Sequence, residues 1–208
     1  LMEYFAPQGS DFCQRVEKSI EEIEARSQAE IVVVVARRSD SYQAIRQRWF
    51  FLLSLLLLCL LYFPLGYYPA LIVSLGLGSL LWYLSNFPQL GRYLIPQTQR
   101  EVAVLRAARL AFFSEAVSST KGRCAILFFF SRWERRLEIV PDVGVEGQIS
   151  NSLWNELEAK INSLPDLAAQ EEAFQKMLAD LAETLAQRFP LPAGTEKQNE
   201  IPNAPHFI

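Results

Sequence analysis

Apolar and polar positions follow different periods along this chain, and each period predicts an element. Residues 11–27 place Phe12, Val16, Ile20 and Ile23 on one helical face with charges opposite, and Ser10 or Asp11 is suited to cap the start. From Ala29 to Ala36 the period is lost, because every position from Ile31 to Val35 is β-branched and apolar. That run predicts a strand buried on both faces and covered by helices. Cys124 to Phe130 predicts a second buried strand, Ser131 to Glu134 a polar hairpin turn, and the alternating Arg135 to Val140 a third, less buried strand. Between the first two strands, Thr98-x-x-Glu101 has capping-box spacing, and a helix is expected through Val102, Leu105, Arg109, Phe112 and Phe113 to about Ser118. Ile149, Leu153, Leu157 and Ile161 predict a further helix. A last helix over 167–189 buries Phe174, Met177, Leu178, Leu181 and Leu185 and stops at Pro190 and Pro192.

Strand, crossover helix and strand imply a parallel pair with a right-handed connection. The expected fold class is α/β: a small mixed-sheet α/β/α sandwich built from two chain segments, 10–40 and 96–190, with 191–208 as a flexible tail.

A third pattern separates those segments. From Trp49 to Gly91 there is no Asp, Glu, Lys or Arg, so all 20 basic and 23 acidic side chains lie elsewhere. Residues 49–65 and 69–87 are two apolar runs of about 25 and 28 Å as helices, close to bilayer thickness. Gly66, Tyr67 and Tyr68, flanked by Pro64 and Pro69, leave room only for a tight turn, so an inserted two-helix transmembrane hairpin is expected. Arg37, Arg38, Arg46 and Arg48 precede it, Arg92, Arg100, Arg106 and Arg109 follow it, and its far turn has no basic residue. The positive-inside rule then places both termini and the α/β domain in the cytoplasm, at a bacterial cytoplasmic (inner) membrane. Ser74 and Gly78 form a small-x-x-x-small pair suited to packing the spans together, or to a homo-oligomer through the hairpin.

Composition removes several chemistries. The single histidine, His206, is the third residue from the end, which argues against histidine-activated nucleophiles and His-liganded metals. Cys13, Cys59 and Cys124 are too scattered for a disulfide framework or thiol cluster. Residues 1–10 show no basic start before an apolar run, predicting no signal peptide. A net charge of −3 without a basic stripe excludes the nucleic-acid reading, and no phosphate-binding glycine loop or nucleophile elbow is present.

Several short motifs resemble the TPM domain, a family named after a thylakoid lumen protein, a photosystem II-associated protein and a nematode receptor modulator. The stretch Ile20-x-x-Ile23-Glu24-x-x-Ser27-x-Ala29-Glu30-Ile31 resembles its opening, and Lys121-Gly122-x-x-x-Ile126-Leu127 its second strand. Arg135-x-Leu137-x-Ile139-x-x-Asp142-x-Gly144-Val145 resembles the third strand and the turn after it. Trp154, Arg188-Phe189-Pro190 and Asn199 to Asn203 are similar to a bacterial subgroup of TPM membrane proteins with a hairpin after the first strand. The resemblance covers residues 12–203. It implies an α/β/α sandwich whose relatives include acid phosphatases, calcium binders, and factors in photosystem repair or receptor assembly. The chain departs from that pattern at Ser150 and Asn151, where many relatives carry an acid.

Candidate sites are few. Asp142 and Glu146, with Glu30, are acids near strand ends; the first two are candidate ligands of a divalent cation, the only cofactor considered. Gly144 and Gly147 offer backbone amides to an anion, although backbone geometry explains them as well. Arg132, Trp133 and Arg135, on a turn expected to be solvated, are candidates for partner or lipid contact. The leading expectation is a non-enzymatic interaction or assembly factor for membrane proteins, with the lipid bilayer and a membrane protein as partners. A weak divalent-metal-dependent acid phosphatase and a lipid-surface binding module are the alternatives.

Overall fold

The structure is a computed structural model that describes residues 11–85, 87–115, 117, 120, 122–191 and 203–208. Residues 1–10, Lys121 and most of the expected tail lie outside these. Among the described residues the chain forms eight helices and one four-stranded mixed sheet. It divides into two compact units, one built from residues 1–39 with 101–208, the other from 40–100.

In the first unit, α1 (Asp11–Glu24) leads into β1 (Glu30–Ala36), and β2 (Ala125–Ser131) pairs with it in parallel, Glu30 opposite Ala125 through Ala36 opposite Ser131. β3 (Arg136–Pro141) returns antiparallel to β2. Every residue of β1 and β2 is buried, as their unbroken apolar runs predict. Side chains alternate between two cores. Ile31, Val33 and Val35 join Ile126, Phe128 and Phe130 under α1, α7 (Asn151–Asn162) and α8 (Leu167–Arg188). Val32, Val34, Leu127 and Phe129 meet Val104, Ala108, Ala111 and Phe112 of α5 (Gln97–Ser114) on the opposite face. Thr98 lies inside α5, one residue past its start, and Glu101 ion-pairs with Arg136.

Both edges of the sheet are closed. On β3, the Leu137 and Ile139 amides donate to Asn162 Oδ1 (2.8 Å) and Glu158 Oε1 (2.6 Å) of α7, and Asn162 Nδ2 donates back to the Leu137 carbonyl (3.0 Å). Two side chains one turn apart on a helix thus cover backbone groups two residues apart on an edge strand. On β1, the Ile31 amide donates to the Glu24 carboxylate at 3.0 Å. Farther along, β4 (His206–Phe207) pairs in parallel with Val34 and Val35, and the Arg37 amide donates to the Ile208 carbonyl. The end of the expected flexible tail is therefore a strand. Its local composition gives no such signal, because the pairing is chosen by the exposed edge of β1. Glu24, Ser27 and Phe189 of the TPM-like motifs are structural: Ser27 donates to the Ile23 carbonyl, and the Gln28 amide donates to that of Phe189.

In the second unit, α2 (Gln43–Leu65) and α3 (Tyr67–Leu84) are joined by Gly66 alone. Tyr67 and Tyr68, expected in the turn, belong to α3; Pro69 fits its first turn, where no intrahelical N–H is needed. A short α4 (Pro88–Leu94) follows, and the Trp49 indole donates to the Leu94 carbonyl at 3.1 Å. Burial within the pair is inverted relative to a water-soluble bundle. Ser54, Ala70, Ser74 and Gly78 are buried, while Phe63, Tyr68 and Ile72 are 91%, 77% and 72% exposed. A methyl group on Gly78 would lie 2.2 Å from Ser54 Oγ and 3.2 Å from the Phe50 ring, so only glycine fits against those α2 side chains.

If Asn162 closes the β3 edge, Asn162→Ala strands both Leu137 backbone groups in a buried site. The expected loss is about 1–3 kcal/mol, read as a lower urea midpoint for the purified chain. An unchanged midpoint contradicts the clamp.

Candidate functional site

The acids expected to hold a cation lie where β1 and β2 begin and β3 ends, the opposite end from the strand carboxyl termini that usually carry sites in α/β sheets. Asp142 is 1% exposed and caps the four-residue α6 (Val143–Glu146): its Oδ1 accepts the Val143 amide at 2.8 Å and pairs with Arg123 Nη2 at 3.0 Å. Its Oδ2 is buried and accepts no hydrogen bond among the described residues. Glu146, on the single turn of α6, is exposed to solvent. Glu30 is buried at the same sheet end, two strands away, with Ala125 of β2 between. Among the described residues no three His, Cys, Asp or Glu side chains cluster as metal ligands would. Asp142 is instead brought to Arg123 and Cys124, whose thiol is pushed up by burial and by the Asp142 carboxylate. A protonated thiol is a poor nucleophile.

Gly144 has a packing role. A Cβ there would lie 2.5 Å from the Arg123 carbonyl oxygen, to which the Gly144 amide donates at 3.0 Å. Gly147 caps α6 at its C-terminus, its amide donating to the Val143 carbonyl.

The turn expected to be solvated is folded inward. Arg132 and Trp133 are each 9% exposed. Arg132 Nη2 pairs with Glu171 of α8 at 3.0 Å, and the Arg38 guanidinium lies 4.6 Å from the Trp133 ring centroid. Arg135 is partly buried and donates to the Pro165 carbonyl at 2.9 Å. Arg132 and Trp133 are thus packed against α8 and the segment after β1, in place of the solvated position expected for them, while Arg135 keeps part of its surface in solvent. Burial raises the Glu171 carboxyl, and Arg132 and Arg15 oppose that shift.

Beneath that turn, at the carboxyl ends of β1 and β2, lies a polar cluster the sequence did not single out. Both oxygens of buried Glu134 accept the Ser39 amide (3.1 and 3.3 Å), and the Ser131 hydroxyl also donates to Glu134. Ser39 Oγ donates to Ser131 Oγ at 2.9 Å. The Ser131-x-x-Glu134 spacing within a tight turn was the available signal; the partner, Ser39, is 92 residues away from Ser131. With its oxygens occupied by a backbone amide and a hydroxyl, the carboxylate ties two loops together and is not poised as a base.

A second cluster lies on the face of β3 turned toward α5. The Glu138 carboxyl is pushed up to about 7 by burial and by Glu158, against the pull of Arg136 and Arg109. Glu158 is itself raised by burial, although the Ile139 amide and Arg136 oppose the shift.

No family model and no curated protein matches the chain. Among solved structures it is similar to the NMR structure of BA42 protein from the psychrophilic bacterium Bizionia argentinensis, at 13% identity and a TM-score of 0.58. That match covers 100% of this chain and 98% of the other. At this identity the likeness concerns the fold alone.

Two outcomes follow from these clusters. Glu134→Ala leaves the Ser39 amide and Ser131 hydroxyl without their acceptor, at a cost of about 1–3 kcal/mol. Hydrogen exchange at Ser39 should then accelerate roughly tenfold or more, and unaltered exchange argues against the clasp. For Glu138, the folded-state value lies above the ordinary 4.5, so folding takes up a proton between 4.5 and about 7. Stability present below that window is lost as pH rises through it. Glu138→Gln should flatten this decline and stabilise the protein at alkaline pH by on the order of 1 kcal/mol, allowing for partial solvent contact. Parallel pH profiles for the two proteins would refute the assignment.

Proposed function

We propose that the chain is a membrane-anchored, TPM-like α/β domain that acts as a non-enzymatic interaction or assembly factor for membrane proteins. In this reading α2 and α3 form a transmembrane hairpin inserted in a discontinuous α/β/α sandwich, in a bacterial cytoplasmic membrane, with both termini and the α/β unit in the cytoplasm.

The observation that carries the proposal is the inverted burial of α2 and α3. Only 6% and 17% of their apolar windows are buried, and what is buried is small. A core helix of a water-soluble protein would bury its leucines and phenylalanines. Helices in hydrocarbon turn small residues toward each other and large apolar ones outward, because lipid solvates the latter well. The arginine asymmetry of the flanks supports the orientation.

The interaction role draws support from how the reactive groups are engaged. Asp142 caps a helix, Glu134 clasps two loops, Cys124 favours its protonated form, and His206 Nδ1 lies 2.5 Å from Glu115 Oε2. The TPM resemblance adds a precedent for assembly factors.

With a reporter fused after Ile208 in a bacterial host, a cytoplasmic reporter should be active and a periplasmic one silent; the converse overturns the topology. Photocrosslinking of the full chain in native membranes should yield a defined membrane protein. Divalent-ion-dependent hydrolysis of phosphate monoesters that Asp142→Asn abolishes would replace this reading with the phosphatase.

A further inference from the structure

The outer face of α5 carries apolar and basic side chains that do not pack on the sheet. Its inner face, Ala103, Val104, Ala108, Ala111 and Phe112, is buried on the sheet. At 100° per residue, Val102, Arg106, Arg109, Leu110 and Phe113 fall within an arc of about 100° on the opposite side. All five are exposed, Leu110 and Phe113 at 71% and 70%. Glu101 is the only acid on the helix; it lies outside that arc and pairs with Arg136.

We propose that this face of α5 is a docking surface for anionic lipid, lying in the headgroup layer with Leu110 and Phe113 inserted and Arg106 and Arg109 against phosphates. Large apolar side chains interleaved with arginines, with no acid of α5 itself on the arc and with Glu138 of β3 near Arg109 alone of the two arginines, suit an anionic interface. A second copy of the chain fits less well, since a symmetric contact would set arginines against arginines. Connectivity points the same way. Residues 85–96 alone separate the end of α3 from the start of α5, and within them Tyr93 is 90% exposed. The inference rests on the membrane reading of α2 and α3. It moves the lipid contact from the Arg132–Trp133 turn, which is buried, to a helix that is not.

The test uses the full chain reconstituted in phosphatidylcholine vesicles with and without phosphatidylglycerol. A fluorescent amino acid is placed by stop-codon suppression at position 113, at 56 in α2, or at the exposed position 172 in α8. Lipids bearing nitroxide quenchers near the headgroup or in the acyl chain report depth. Position 56 should be quenched from the acyl chain. Position 113 should be quenched from the headgroup region several-fold more than position 172, more strongly with phosphatidylglycerol. Arg106→Glu should reduce it toward the position 172 value, and Arg106→Gln part of the way. Quenching at 56 with none at 113 overturns the inference and leaves the anchor intact. A blue shift at 113 without lipid quenching assigns the face to a protein contact, such as a second copy, and likewise overturns it. An unquenched position 56 removes the membrane reading and this inference with it.

Discussion

The α/β unit depends on the parallel pairing of β1 with β2, two strands buried over their whole length. A strand apolar on both faces can be stable only if both faces are covered and its backbone groups are paired on both sides. That requirement accounts for α1, α7 and α8 on one face and α5 on the other. It also accounts for less usual features: the Glu24 carboxylate on the Ile31 amide, residues 206–208 alongside the second half of β1, and the Asn162–Glu158 clamp on β3. The polar groups buried at the sheet margins are the means by which an apolar sheet ends without exposing an edge.

The second unit obeys the opposite rule. Its small residues face inward and its large apolar residues outward. Gly78 lies against the Ser54 hydroxyl and the Phe50 ring, a contact that a Cβ at position 78 would not allow. One chain therefore holds two units with opposite burial patterns, and this contrast is what the proposed anchoring rests on.

Much of the α/β unit was legible from periodicity. The unbroken apolar runs of β1 and β2, the alternation of β3 and the helical faces of α1, α7 and α8 each follow from side chains meeting one neighbouring layer. The short α4 and α6 were not legible, since segments of seven and four residues carry too few positions to show a period. Candidate chemistry was read less well. Asp142 and Glu146 are close in sequence, yet one is a buried cap and the other a solvated charge. The polar turn from Ser131 to Glu134 looks solvated by composition, but its Trp133, Glu134 and Arg132 side chains find partners at Arg38, Ser39 and Glu171.

The sequence by itself determined the long helices and first three strands of the α/β unit, the double-sided burial of the first two strands and the separation of a charge-free stretch, because these depend on interactions within a few residues or on composition alone. Only the tertiary structure decided which polar side chains are consumed in closing edges and clasping loops, that His206 and Phe207 join the sheet, and that α5 keeps an apolar and basic face uncovered. Those outcomes depend on partners brought close from far apart in the chain, as with Ser39 and Ser131 or His206 and Glu115, and no local pattern encodes such a meeting.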